Sequence, residues 1–124
     1  MKLADLTPKD YEYELRHPAT GAPLGVSVQL TDPLSPPVAK AQRDFLTALR
    51  GVPAADRPDD AELIEQALVV KAKAALAGWD EKFNDFFEGA FSKEKVEEIF
   101  TEPAYRWLVE QLAGAAADRS NFFR

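Results

Sequence analysis

Few side chains in this sequence have the type and spacing that catalysis or metal binding requires. The chain has one histidine, His17, and no cysteine. His17 precedes Pro18 in a predicted turn, with no second ligand at metal-binding spacing and no neighbouring nucleophile that it could activate. We therefore predict that His17 is a solvated turn residue and that the protein uses no metal and no cofactor.

The acidic residues do not match a known calcium-binding or catalytic pattern either. Asp80, Asn84, Asp85 and Glu88 lie within one short stretch, but neither their spacing nor the glycine position matches an EF-hand calcium loop. The sequence has no P-loop, no G-x-G-x-x-G segment and no G-x-S-x-G segment. The other carboxylates are scattered over predicted helix exteriors, which is typical of solvated faces. The sequence therefore predicts that the protein is not an enzyme.

The composition and net charge of the chain indicate its domain organisation and exclude some kinds of partner. A chain of 124 residues with 46% hydrophobic and 29% charged residues predicts a single globular domain spanning residues 1–124. The net charge of −6 argues against nucleic acid, which needs a basic surface. The sequence contains no apolar run of about 20 residues, the length that spans a bilayer, and no signal-peptide pattern. We expect a soluble cytosolic protein that binds neither nucleic acid nor membrane.

The first part of the chain alternates apolar and polar residues. This period of two runs through YEYELRH and again through PLGVSVQL, with the turn-forming segment PATGAP between them. The pattern predicts a two-stranded β-hairpin over about residues 10–31. A hairpin of two strands is marginal alone, so its apolar face must pack on the helices that follow.

Four helices are predicted after the hairpin. Their starts are marked by capping or proline residues, and they cover about residues 35–50, 59–79, 92–101 and 103–118. Ser35 precedes the first helix and Gly51 ends it, while Pro103 starts the last one. The predicted fold is mainly α, with the N-terminal hairpin packed on a bundle of about four helices.

The second of these helices has two neighbouring apolar stripes and only a narrow polar strip. The stripes contain Ile64, Leu68, Ala72, Ala75 and Trp79, and Leu63, Ala67, Val70, Ala74 and Ala77. Such a helix is either central to the core or covered on a second side by a partner. For a domain of this size, we predict a position central to the core.

Aromatic residues are the main candidates for both core and interface positions. Ser92 is predicted to cap a helix, with Phe91 and Val96 forming a hydrophobic staple across it, and Trp79 and Phe91 are predicted in the core. The aromatic-rich segment after Trp79 is predicted to form one or two helical turns. The candidate partner-binding residues are Phe86, Phe87, Trp107, Phe122 and Phe123.

The order of these parts resembles the tail assembly chaperones of long-tailed siphophages and related prophages. A short two-stranded start with an HPATG turn leads into a helix that begins near Ser35. A second helix ends on Gly78-Trp79, and FSKEKVEEIF, a final helix and an NFF tail follow. The likeness extends from about Tyr11 onward, although the segment after Trp79 is richer in phenylalanine than in the family.

The resemblance implies a non-enzymatic role in virion assembly. Members of the family bind the tape measure protein and keep it soluble until the tail tube protein polymerises around it. The implied partners are the tape measure protein, a frameshifted longer form of the same chain, the major tail tube protein and further copies of the chain. The implied location is the cytoplasm of the infected or lysogenic bacterial host, and the protein is not expected in the mature virion.

Two alternatives and one further hypothesis accompany this resemblance. The chain is alternatively another phage head–tail or tail structural protein, or a bacterial helical adaptor that binds proteins. The tail SNFFR has three interpretations: a segment packed on the core, an anchor for another chain, or an imprint of the message. Asn121 to Phe123 can be encoded by a slippery run, which would allow the backward frameshift by which the family makes its longer product.

Overall fold

The computed structural model describes residues 1–123 and contains five helices and three strands. The strands are β1 (Tyr11–Arg16), β2 (Pro23–Leu30) and β3 (Leu76–Gly78). The helices are α1 (Pro36–Arg50), α2 (Asp60–Ala75), α3 (Asn84–Phe87), α4 (Lys93–Thr101) and α5 (Arg106–Ala117). Short 3-10 turns cover Leu3–Leu6, Ala54–Asp56, Glu81–Phe83, Pro103–Tyr105 and Arg119–Phe123. The mainly helical character is confirmed, and among residues 1–123 no helix combines the length and apolarity needed to cross a membrane.

The predicted hairpin is confirmed, with its apolar residues on one face. β1 and β2 pair antiparallel, with Tyr11 opposite Leu30 and Tyr13 opposite Val28. Leu15, Val28 and Leu30 are buried, because residues at alternate positions of a strand point to the same side. This side packs on the helical part of the core.

The hairpin contains an irregularity next to its turn. The pairing moves from Glu14 opposite Ser27 to Arg16 opposite Pro23, so β2 has two more residues than β1 between these pairs. Gly25 lies there with φ of +71°, a conformation that glycine adopts without the Cβ clash of other residues. This bulge lets the strand pairing continue to the turn.

A third strand corrects the predicted sheet and the predicted end of the second helix. α2 stops at Ala75, and residues 76–78 pair antiparallel with β2 instead of continuing the helix to residue 79. The Thr31 N–H donates to the Ala75 carbonyl oxygen at 2.8 Å, and Leu76 is buried. The free edge of β2 offers backbone hydrogen bonds that helical periodicity cannot reveal.

α1 and α2 form a helical hairpin joined by a short connector, and they pack against each other. Ser35 is at the predicted N-cap position of α1, but its side chain accepts no capping hydrogen bond. Pro36 and Pro37 follow it and lack N–H groups, so fewer donors need a cap. Val38 is the only residue of α1 that is fully buried.

The prediction that α2 is central to the core is wrong for most of its length. Only Ala72 and Ala75, near its C-terminal end, are buried. Ile64 is 71% exposed and Leu68 is 40% exposed. The core under the sheet is already filled by α4, α5 and the aromatic segment, so α2 reaches it only with its last turn.

The remaining elements are close to their predicted bounds. The Ser92 side chain accepts a hydrogen bond from the Lys95 N–H at 3.0 Å and caps α4, as predicted. Pro103 begins a 3-10 turn that leads directly into α5. The segment after Trp79 contains two short helical turns, residues 81–83 and α3, which confirms its predicted helical character.

Candidate protein-binding site

An open apolar groove lies between α1 and the start of α4, with α2 contacting both helices. We call it the helical groove. Its volume is about 500 Å³, and its lining residues are Ala41, Phe45, Val70, Lys73, Ala74, Leu76, Phe91, Lys93, Val96 and Glu97. Most of these side chains are apolar, and the charged ones belong to α2 and the first turns of α4. The surface is therefore of the kind that receives an amphipathic helix.

The helical groove continues along the α1–α2 hairpin. A smaller hollow of about 240 Å³ is lined by Gln42, Phe45, Leu46, Ala67 and Val70. Phe45 and Val70 line both cavities. Together they form one apolar track along the helices, so a bound helix could contact several turns of this hairpin.

Small side chains explain why this groove is open. Ala41, Ala67 and Ala74 each provide one methyl group where α1 and α2 face the cavity. Larger side chains at these positions would interdigitate and fill the space, as ridges fill grooves between packed helices. The alanine-rich sequence of α2 therefore leaves apolar surface that residues 1–123 do not cover.

An ion pair crosses one side of the helical groove. Lys73 of α2 and Glu97 of α4 are 2.6 Å apart between Nζ and Oε2, and both side chains are partly exposed. Exposed pairs of this kind contribute little to stability. The pair links the two helices and places charge at the border of an apolar surface, which can orient a partner.

A second cavity lies on the other side of α4, and we call it the aromatic hollow. Its volume is about 290 Å³, and its lining residues are Phe86, Phe87, Glu88, Lys95, Glu98, Ile99, Tyr105, Trp107 and Leu108. Phe86 and Tyr105 are exposed and Trp107 is partly buried, while Phe87, Ile99 and Leu108 belong to the core. The aromatic hollow therefore presents exposed aromatic rings above a base of buried core residues.

The structure separates the five predicted partner-binding residues into two groups. Phe86 and Trp107 line the aromatic hollow, and Phe123 is 45% exposed. Phe87 and Phe122 are buried. Phe87 is accessible only at the base of the aromatic hollow and Phe122 has no exposed surface, so a role of either residue in partner binding stays a prediction.

The tail is packed on the domain as far as Phe123. Phe122 is fully buried, with its ring edge-on to Tyr11 at 6.1 Å. The Lys9 N–H donates to the Phe122 carbonyl oxygen at 2.7 Å, and the Asn121 amide donates to the Ala115 carbonyl oxygen at 3.2 Å. Of the predicted roles for this tail, packing is the one that the geometry supports for Phe122.

A partly buried ion pair anchors the start of the tail. Asp32, between β2 and α1, is buried, and its two carboxylate oxygens accept from Arg119 Nε at 3.1 Å and Nη2 at 3.2 Å. This two-point contact fixes the orientation of both side chains. Sequence patterns do not reveal this pair, because the partners are far apart in the chain and no local pattern relates them.

The predicted structural residues have different environments. Trp79 is buried, stacks on Phe87 at 4.0 Å and donates from its indole N–H to the Asn84 side-chain oxygen at 3.1 Å. Val96 is buried as well. Phe91 packs edge-on against Trp79 at 5.0 Å but is 39% exposed. The prediction that Phe91 is in the core is therefore wrong, because one side of its ring faces the helical groove.

The contacts of Gln111 with the β-hairpin are a second feature that sequence patterns do not reveal. Its side-chain amide accepts from the Arg16 N–H at 3.0 Å and donates to the Arg16 carbonyl oxygen at 2.6 Å, beside the bulge. Pro23, opposite Arg16, has no N–H to contribute. Tyr13 donates its hydroxyl to the same Gln111 oxygen at 3.3 Å, and burial raises the pKa of that hydroxyl, with Arg16 opposing the shift.

The single histidine makes only local contacts in its turn. The exposed His17 ring accepts from the Ala19 N–H at 3.1 Å through Nδ1, and the Thr20 N–H points to the same atom. This is a turn-stabilising contact. Within residues 1–123, histidine, aspartate and glutamate do not gather in groups of three or more that could hold a metal ion.

Comparisons with known proteins do not add a family to these observations. No family model matches the chain, and neither a curated protein nor a solved structure matches it. A functional assignment therefore depends on the geometry of the helical groove, on the aromatic hollow and on the resemblance described from the sequence.

Proposed function

We propose that the protein is a phage tail assembly chaperone that binds helical segments of the tape measure protein in the helical groove. The proposal rests on the order of sequence features that resembles this family, together with an apolar groove on the helical hairpin. A tape measure protein is a long helical chain with apolar stripes, which is the kind of ligand that such a groove receives. In this role the chaperone covers the stripes until the tail tube protein replaces it.

The observation that carries the proposal is the apolar track through Phe45 and Val70. It lies on the hairpin that contributes least to the core, where Ile64 and Leu68 are exposed as well. A partner can occupy this track without the sheet and α5 having to move. Binding of that kind remains reversible, and many copies along one rod compensate for moderate affinity at each site.

The family resemblance extends the proposal to location and further partners. The protein would act in the cytoplasm of the bacterial host and be absent from the mature virion. A longer frameshifted form, the tail tube protein and other copies of the chain would take part in the same assembly. The nucleotide sequence over residues 121–123 tests the frameshift: codons without a slippery run exclude slippage there.

Co-expression tests the central proposal. The proposal predicts a long helical reading frame beside this gene, and its product is expressed with the wild-type chain, with Val70→Glu or with Ile64→Glu. Val70 lines the groove, whereas Ile64 lies on the same helix outside it. We expect the wild type and Ile64→Glu to keep the long protein soluble and to co-purify with it. We expect Val70→Glu to lose both properties, because a carboxylate in an apolar groove is poorly solvated.

Thermal melting of the isolated variants separates lost binding from lost folding. If Val70→Glu melts close to the wild type but fails to bind, the groove is the contact surface. A long protein that remains insoluble with the wild-type chain, or a complex that does not survive gel filtration, would refute the chaperone assignment. Equal loss of binding in both variants would place the contact elsewhere on α2.

A further inference from the structure

The aromatic hollow combines aromatic rings with carboxylates. Phe86, Tyr105 and Trp107 contribute rings, and Glu88 and Glu98 contribute negative charge from two sides of the cavity. Aromatic faces attract cations through the ring quadrupole, and a nearby carboxylate adds a Coulomb term. An apolar side chain would gain binding free energy from the rings alone, whereas a basic side chain would gain it from the rings and from the carboxylates.

One of these carboxylates lies on an unusual backbone. Glu88 has φ of 59° and ψ of 34° and ends α3 in the left-handed conformation. It is the only residue other than glycine with positive φ within residues 1–123. Glycine is the usual residue at such a helix end, and a side chain there has a steric cost. A carboxylate at a position where glycine would be more stable points to a role in binding.

The charges in the hollow are not balanced. Lys95 lies 3.4 Å from Glu98 between Nζ and Oε1, and its side chain is only 14% exposed. No ion pair within residues 1–123 involves Glu88. The pair of Lys95 and Glu98 cancels, so the net charge of the lining is that of Glu88. The hollow therefore complements one positive charge.

We propose that the aromatic hollow binds an arginine or lysine side chain of a partner polypeptide. The rings of Phe86, Tyr105 and Trp107 contact the stem and the cation, and the Glu88 carboxylate pairs with its N–H groups. Arginine fits best, because its planar guanidinium both stacks on aromatic rings and bonds a carboxylate at two points. The site is distinct from the helical groove and goes beyond the proposed chaperone function, so either proposal can fail without the other.

The test uses a short alanine peptide with blocked ends and one central arginine. The matched peptide has citrulline at that position, which keeps the shape but removes the charge. Binding to the full chain is followed by the indole N–H resonance of Trp107 in isotope-labelled protein, identified by its loss in Trp107→Phe. We expect a saturable shift with the arginine peptide and about five-fold weaker binding of the citrulline peptide.

Three variants test which charges of the hollow take part in binding. Glu88→Gln is expected to weaken arginine-peptide binding about three- to five-fold, whereas Glu94→Gln, an exposed acid of α4 outside the hollow, leaves it unchanged. Lys95→Met removes the competing cation and is expected to tighten binding. Equal affinity for the two peptides, or wild-type affinity in Glu88→Gln, would overturn the proposal.

Replacing Glu88 with glycine separates binding from stability. Glu88→Gly relieves the left-handed backbone, so we expect the melting temperature to rise by about 3 °C. The same variant is expected to bind the arginine peptide as weakly as Glu88→Gln does. A higher melting temperature with unchanged peptide binding would show that Glu88 is not a ligand of the site.

Discussion

The helical hairpin of α1 and α2 differs from the rest of the domain in how its apolar residues are used. Of the seven largest fully buried side chains, only Val38 belongs to the hairpin. The other six come from β1, β2, α5 and the tail: Leu15, Val28, Leu30, Val109, Leu112 and Phe122. The hairpin instead presents Leu46, Ile64 and Leu68 to solvent.

Because of this difference, the residues that stabilise the fold are not those that provide apolar surface for a partner. Burial of large apolar side chains is the main favourable term in folding, so the sheet, α5 and the tail provide most of the stability. The hairpin adds little to that term and keeps its apolar surface open as the helical groove. Substitutions in the two regions should therefore affect different measurements, and three of them test the comparison in order of decreasing effect.

The largest effect is expected in the tail. Phe122→Ala removes a fully buried ring, and we expect the free energy of unfolding to fall by about 3–5 kcal/mol. Phe123→Ala is the matched control, because the adjacent ring is 45% exposed, and we expect a loss below about 1 kcal/mol. Urea denaturation measures both. Equal losses for the two variants would contradict the packing of the tail.

A smaller effect is expected from the ion pair between the tail and the loop after β2. Arg119→Met leaves the Asp32 carboxylate buried without its partner, so we expect a loss of about 2 kcal/mol. The loss is below that for a fully buried pair because the Arg119 side chain is 44% exposed. Adding Asp32→Asn to the same chain should recover part of the stability. If the free energy of unfolding of the double variant falls by the sum of the two single losses, the two residues act independently.

The smallest effect on stability is expected in the helical hairpin of α1 and α2. Ile64→Lys changes a side chain that is 71% exposed, so we expect a change within about 0.5 kcal/mol in urea denaturation. Hydrogen exchange on the wild type sharpens the comparison, because amides of α1 should exchange faster than those of α5. A loss above about 1.5 kcal/mol in Ile64→Lys would mean that the hairpin is part of the stable core.

Local patterns were sufficient to predict most of the elements. The alternation in β1 and β2 and the capping residue Ser92 each depend on residues close in sequence, and each was found in the structure. The helical turn that begins at Pro103 and leads into α5 has the same origin. These features could be predicted because backbone conformation and capping respond to neighbouring residues.

Positions that depend on distant contacts were predicted less well. The strand at residues 76–78 continues an apolar helical pattern and becomes a strand because β2 has a free edge. Phe86 and Phe87 are adjacent and chemically identical, yet Phe87 stacks on Trp79 while Phe86 faces solvent. Of the candidate binding surface, Phe86 and Trp107 were identified from their type, while Phe45, Val70 and Glu88 were not.

By itself, the sequence determined β1, β2 and the helical segments apart from the end of α2, together with the Ser92 cap of α4. The tertiary structure decided which apolar residues fill the core and which remain for a partner. Leu68 and Ala72 share one predicted stripe of α2, yet Leu68 is exposed and Ala72 is buried. The physical reason is that periodicity describes which side of a helix is apolar, whereas burial depends on where the other elements end. The tail shows the same dependence, because Phe122 is buried only where Tyr11, Lys9 and α5 meet it.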